Sequence, residues 1–206
     1  MKAVIIGAGN IGRGFIGVLL SESGYKVSFV DITKPIVDTL NENGEYPVRI
    51  VSSQSYEDIV IKSVDAINGK DTDAVVNAIA DADILATAVG VNALEYIIPN
   101  IAEGIKRRFT LTDKELNILI CENLMDAGTI VGESIKEYLN NNECKLFDKR
   151  IGLIETSIGR MVPVQTPQMQ DGNPMRVCVE SYDYLPVDKD AFKGNIILAV
   201  YLSVRC

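Results

Sequence analysis

The chain opens by alternating short, wholly apolar runs with longer stretches in which apolar residues recur at helical spacing. Ala3–Ile6 reads as a strand buried on both faces. Asn10–Ser23 reads as a helix presenting Ile11, Phe15, Val18 and Leu19 on one side, and Val27–Val30 as a second strand, which together make a βαβ unit. Gly24-Tyr25 supplies a helix stop. Thr33 stands where an N-cap is expected, Pro35 falls in the first turn that follows, and this helix runs to a second stop at Asn43-Gly44.

From Tyr46 to Ile67 the pattern changes, with alternating stretches such as "YPVRIVSS" and "DIVIKSV" that predict a small antiparallel excursion, an inserted hairpin. The helix-strand rhythm then returns: "DTDAVVNAIADA" as a helix, "DILATAVG" as a strand, Ala93–Arg108 as a helix, "LNILICEN" as a strand and Ala127–Asn140 as a helix. "NNNECKLFDKR" reads as an exposed connection, "IGLIETSIGRMVP" as one more strand with a loop, and "NPMRVCVESYDYLP" as the start of a separate, strand-containing element. The expected class is therefore α/β, a doubly wound and mainly parallel sheet with a small antiparallel excursion. Residues 1–170 are expected to form the dinucleotide-binding domain and residues 171–206 a remnant or the start of a second, substrate-handling and catalytic domain.

The dinucleotide expectation comes from Gly7-Ala8-Gly9-Asn10-Ile11-Gly12, a G-x-G-x-x-G placed where a strand turns into a helix. The first glycine permits the turn, the second lets backbone approach a pyrophosphate, and the third lets helix and strand pack closely. Asp31, at the end of the second strand, is placed to accept hydrogen bonds from ribose hydroxyls and to repel a 2′-phosphate, which selects NAD over NADP; Lys34 nearby softens that selection. Two more strand ends reach the same crevice. Ala88, Val89 and Gly90 are expected to lie against the nicotinamide ribose, and Asn123 to offer its amide to the nicotinamide end or to substrate. The plainer alternatives are a simple turn at Gly90 and a helix cap at Asn123. Arg13 faces either a cofactor phosphate or solvent. Glu122 and Glu155 read as caps or solvated groups, and Cys121 as a structural thiol.

Composition narrows the chemistry. The 206 residues are 47% hydrophobic and 23% charged, as in ordinary soluble proteins. A formal net charge of −8 argues against a nucleic-acid partner, and the one dense basic cluster, Lys106-Arg107-Arg108, reads as a solvated helix end. Cys121, Cys144, Cys178 and Cys206 are widely spaced and read as free thiols. Met1 and Lys2 lead straight into a strand with no signal-peptide pattern, so the expected location is the cytoplasm. The longest apolar run, Ile196–Val204, is shorter than the ~20 residues a membrane span needs. The chain has no histidine, which excludes Ser/His and Cys/His catalysis and a zinc site with histidine ligands within it.

Five ordered motifs carry a family resemblance: "GAGNIGRGFIG" at Gly7–Gly17, "TAVG" at Thr87–Gly90, "CENLMDAG" at Cys121–Gly128, "RMVP" at Arg160–Pro163 and "LPVDKDAFKG" at Leu185–Gly194. Together they resemble the polyol-specific long-chain (mannitol) dehydrogenase family. A ketopantoate-type reductase would share the first motif but leave the "CENLMDAG" and "LPVDKDAFKG" stretches unexplained. The resemblance implies an N-terminal Rossmann domain, a mostly helical second domain, NAD as cofactor, and interconversion of a sugar-alcohol phosphate (mannitol 1-phosphate) with a ketose phosphate (fructose 6-phosphate). It implies hydride transfer without a metal, a lysine of a K-x-x-x-x-N-x-x-H motif taking the hydroxyl proton, and Asn123 and Arg160 on the substrate side. No such motif occurs here, and "NIILAVYLSVRC" after Gly194 departs from the family, so no catalytic residue is expected in this chain. Binding with little turnover follows, with a non-catalytic NAD-binding module or a degenerate remnant as the alternative. Gly159 departs from the aspartate that the family places before its arginine. An apolar face near Ile196–Val204 or the crevice is expected to favour self-association.

Overall fold

The structure, a computed structural model, describes residues 1–194. The run Ile196–Val204, and the apolar face expected there, lie outside the described residues.

Strand β1 (Lys2–Ile6) is buried on both sides, with Ala3 and Ile5 in one apolar cluster and Val4 and Ile6 in the other. The helix that follows has a π-helical stretch at Gly12–Ile16 and continues as α1 (Gly17–Glu22). Strand β2 (Lys26–Asp31) runs parallel to β1, and α2 (Lys34–Asn43) ends at Gly44, whose φ of 64° lets its N–H turn back to the Leu40 carbonyl at 2.9 Å. Thr33 occupies the N-cap position but makes no side-chain cap bond: the N–H groups of Ile36 and Val37 go to its carbonyl, and its own N–H goes to the Asp31 carboxylate.

The expected hairpin is β3 (Glu45–Val51) and β4 (Tyr56–Lys62), paired antiparallel. The excursion ends there. Val64–Asn68, the last part of the stretch read as antiparallel, is β5 and pairs in parallel with β2, because Val64 and Ala66 bury into the same core as Val27 and Phe29. The chain continues through α3 (Thr72–Asp81), β6 (Ile84–Thr87), α4 (Leu94–Leu111), β7 (Leu116–Ile120), α5 (Ala127–Lys136), α6 (Asn141–Arg150), β8 (Ile151–Glu155), a short α7 (Pro167–Gln170) and β9 (Val177–Glu180).

Six strands form one parallel sheet in the order β5-β2-β1-β6-β7-β8. The chain winds outward from β1 in one direction and then from β6 in the other, so β1 and β6 flank the point where a crevice opens at their carboxyl ends. The first helix and α2 cover one face; α3, α4, α5 and α6 cover the other. Each fully buried Phe, Leu or Ile contributes about 1.5–3 kcal/mol.

Three local readings are corrected. "NNNECKLFDKR" is mostly helix α6, held by a capping box in which Asn140 accepts from the Glu143 N–H and Glu143 accepts from the Asn140 N–H; Phe147 alone anchors it in the core, so its polar composition hid it. The strand in "NPMRVCVESYDYLP" is no separate element. It is β9, which pairs in parallel with β3 to complete a β4-β3-β9 sheet, and Met175, Val177, Val179, Leu185 and Val187 share the core cluster of Phe15 and Phe29. Third, Arg108 is buried. Its guanidinium donates to the carbonyls of Ala80 and Ala82 at the end of α3 and to those of Lys114 and Glu115.

Candidate functional site

The glycine loop leaves β1 at Gly7, whose N–H donates to the Val30 carbonyl at 2.8 Å and so ties the loop to β2. Gly7 has a φ of +108°, and a Cβ there would collide with the Ala88 carbonyl. A Cβ on Gly12 would collide with the Gly7 carbonyl, so the third glycine is what lets the helix start this close to the strand. Gly9 differs: no heavy atom stands within 4 Å of its Cβ position, so its backbone faces open space. The Arg13 N–H bonds to the Gly9 carbonyl at 3.0 Å, which leaves the N–H groups of Asn10, Ile11 and Gly12 ahead of the first helical bond without an intrahelical acceptor.

Asp31 is half-buried and anchors this loop. Its Oδ2 accepts the Ala8 N–H and its Oδ1 the Thr33 N–H, both at 2.8 Å. Lys34 is engaged with Asp38 at 2.6 Å, one turn along α2. The Asn10 amide donates to the Pro163 carbonyl at 3.2 Å, so the loop carrying "RMVP" is pinned beside the glycines.

Across the crevice, the Ala88 N–H donates to the Ile6 carbonyl at 2.8 Å, and Gly90 has a φ of +87°. Val89 and Gly90 give their N–H groups to the two oxygens of Glu122, which is buried. Asn123 is exposed, and its side chain makes no hydrogen bond among the described residues; the cap position of α5 belongs to Asp126, so the cap alternative fails for Asn123. Glu155 accepts the Gly128 N–H at 2.9 Å and holds the start of α5. Burial pushes the Cys121 thiol up to about 12, which removes it as a nucleophile at neutral pH.

Two arginines turn inward. Arg13 lies under the glycine loop, donating to the carbonyls of Ala8 and Met175, both at 2.7 Å, so it faces neither solvent nor a phosphate. Burial lowers its pKa. Arg160 is only 4% exposed: it donates to the Gly14 carbonyl at 3.1 Å and to the Tyr182 carbonyl, and lies over the Phe15 ring. Its described bonds all run into the protein. A Cβ on neighbouring Gly159 would stand 2.7 Å from the Tyr182 ring, which explains why a residue without a side chain occupies that position. The sequence reading missed Glu122 as a backbone anchor and Gly14 as a contact point. A glycine placed inside a helix was the one available signal for Gly14, whose Cβ position is 2.8 Å from Val177 and 2.9 Å from Val179.

The sequence model of the mannitol dehydrogenase Rossmann domain matches residues 1–198. The chain belongs to the mannitol dehydrogenase family. It is 40% identical over 183 residues to the mannitol-1-phosphate 5-dehydrogenase of Geobacillus thermodenitrificans, covering 88% of this chain and 46% of that protein. With the corresponding enzyme of Shouchella clausii it is 38% identical over 198 residues, covering 96% of this chain and 51% of the relative. The chain thus spans about half the length of the curated relatives it matches. Among solved structures, D-sorbitol dehydrogenase in substrate-free form superposes with a TM-score of 0.80 at 13% identity, over 92% of this chain and 50% of that one. Pseudomonas fluorescens mannitol 2-dehydrogenase, in complex with NAD and D-mannitol, gives 0.78 at 12% identity, over 92% and 49%. At such identities the likeness establishes the fold. It agrees with the doubly wound Rossmann architecture, and no helix among the described residues is long and apolar enough to cross a membrane.

Proposed function

We propose that this chain is the NAD-binding half of an oxidoreductase interconverting mannitol 1-phosphate and fructose 6-phosphate. The observation that carries the reading is the contrast among the three glycines: Gly7 and Gly12 are locked by neighbouring backbone, while Gly9 faces open space beside unpaired helix N–H groups, the place a pyrophosphate requires. Asn10 and Ile11 offer those N–H groups. Asp31 receives the adenosine ribose hydroxyls on lone pairs not used by Ala8 and Thr33 and disfavours a 2′-phosphate. Ala88, Val89 and Gly90 form the opposite wall, and the free amide of Asn123 is the side chain best placed to meet the nicotinamide end or the polyol.

Bound NAD supplies the hydride acceptor; the residues here bind and orient it. No residue here is assigned the proton of the substrate hydroxyl, since these 206 residues contain no K-x-x-x-x-N-x-x-H stretch. That absence supports dinucleotide binding with little turnover by this chain alone, which is also how a non-catalytic NAD-binding module would behave. Arg160, being tied to Gly14 and Tyr182, is read as a support of the crevice wall. Titration with NADH followed by fluorescence is expected to saturate, and no binding at millimolar NADH would refute the proposal. Turnover of mannitol 1-phosphate with NAD at an ordinary dehydrogenase rate would refute the reading that no residue here takes the hydroxyl proton.

A further inference from the structure

Glu122 lies two residues past the end of β7 and is 6% exposed. Its carboxylate is spent on main chain: Oε1 accepts the Val89 N–H at 2.9 Å and Oε2 the Gly90 N–H at 2.8 Å. Two successive N–H groups converging on both oxygens of one side chain need an acceptor at each. A carboxylate meets that need, whereas a carboxamide turns an NH₂ toward one of the donors. The segment so held is tightly placed on its other side too, since the Ala88 carbonyl fills the space where Gly7 would carry a Cβ. Gly90, at φ +87°, is the hinge from which the chain enters the turn before α4. Ala88–Gly90 is therefore clamped between the glycine loop and Glu122.

Strand order divides the crevice. Asp31 ends β2, on one side of β1, while Ala88–Gly90 and Glu122 follow β6 and β7 on the other. We propose that Glu122 is a positioning residue for the nicotinamide half of the dinucleotide, acting through the backbone of Val89 and Gly90 and not by touching the cofactor. The proposal rests on the NAD-binding reading above. It requires the adenosine half, held by Asp31 and the glycine loop, to be indifferent to Glu122.

The test is calorimetric titration of the unsubstituted chain, Glu122→Gln and Glu122→Asp with NADH and, separately, with ADP, which carries only the adenosine half. Glu122→Gln is expected to weaken NADH about tenfold, about 1.4 kcal/mol of binding lost through the displaced Val89–Gly90 backbone, while ADP changes by less than about twofold. Glu122→Asp, which keeps both oxygens on a shorter stem, should fall between and serves as the decisive variant if Glu122→Gln does not fold. Equal losses for NADH and ADP would mark a general structural role and overturn the assignment, as would unchanged NADH affinity in a folded variant. An unsubstituted chain that takes neither ligand would overturn the NAD-binding reading itself.

Discussion

The carboxylate of Asp31 accepts the N–H of Ala8 at 2.8 Å, so the acidic residue at the end of β2 and the second position of the glycine loop form one hydrogen-bonded unit. An interaction that fixes the loop and one that selects the cofactor are thus combined in a single side chain. Asp31→Ala is expected to lower the ratio of NADH to NADPH affinity by about 10- to 100-fold, because the lost ribose bonds and the lost repulsion act on opposite ligands while the freed Ala8 N–H loosens the loop for both. Parallel fluorescence titrations with the two nucleotides measure the ratio, and an undiminished preference for NADH would contradict the role assigned to Asp31.

The three glycines should separate folding from binding. A methyl at Gly12 must displace the Gly7 carbonyl, so Gly12→Ala is expected to cost about 2 kcal/mol or more of stability. Gly9→Ala adds its methyl to open space and should change stability by less than about 1 kcal/mol. That methyl occupies the approach of the pyrophosphate, however, so NADH affinity should fall at least about tenfold. Urea melts and NADH titrations of both variants distinguish the two effects.

Much of this was legible in the chain itself. The apolar runs of β1, β2, β6 and β7 and the G-x-G-x-x-G spacing follow from local pattern, and they locate the crevice. What was hidden depended on contacts distant in sequence. Arg108 looks like a solvated helix end until the carbonyls of Ala80 and Ala82 come within reach of it. The strand β9 looks like the start of something new until β3 presents an edge to it. Glu122 is one carboxylate among many until the fold brings two N–H groups of the neighbouring strand end to its oxygens.

Arg160 offers a third test. Its guanidinium joins Gly14, Tyr182 and the face of Phe15, so Arg160→Ala is expected to destabilise the chain by about 2–4 kcal/mol, a cost set by stranded carbonyls and lost packing. Lysine should restore little, lacking the planar fork. Provided the variant is folded at the assay temperature, its NADH affinity should stay within about threefold of the unsubstituted chain. A binding loss with unchanged melting would instead point to a direct ligand contact.

Alkaline pH supplies a fourth. Burial raises the Cys121 thiol from 9.0 to about 12 and also raises the Tyr46 hydroxyl, which donates to the Arg13 carbonyl. Between those values the unfolded chain has released the Cys121 proton and the folded chain retains it, so unfolding becomes easier as pH rises from 9 toward 12. The slope is about 1.4 kcal/mol per pH unit for each such proton. Urea titrations at pH 8 and pH 10 should show the loss, and Cys121→Ala should reduce it. Iodoacetamide at pH 8 should leave the Cys121 peptide unlabelled until the chain is unfolded.

The bare backbone of Gly14, pressed between Val177 and Val179, has a kinetic consequence. The helix that opens the nucleotide site is synthesised well before β9, yet it reaches its final packing only once β9 has arrived. Until β9 emerges, β3 has one open edge and the first helix one uncovered flank. Closing so long a loop is entropically slow. The ability to hold a nucleotide should therefore lag behind the appearance of secondary structure during synthesis.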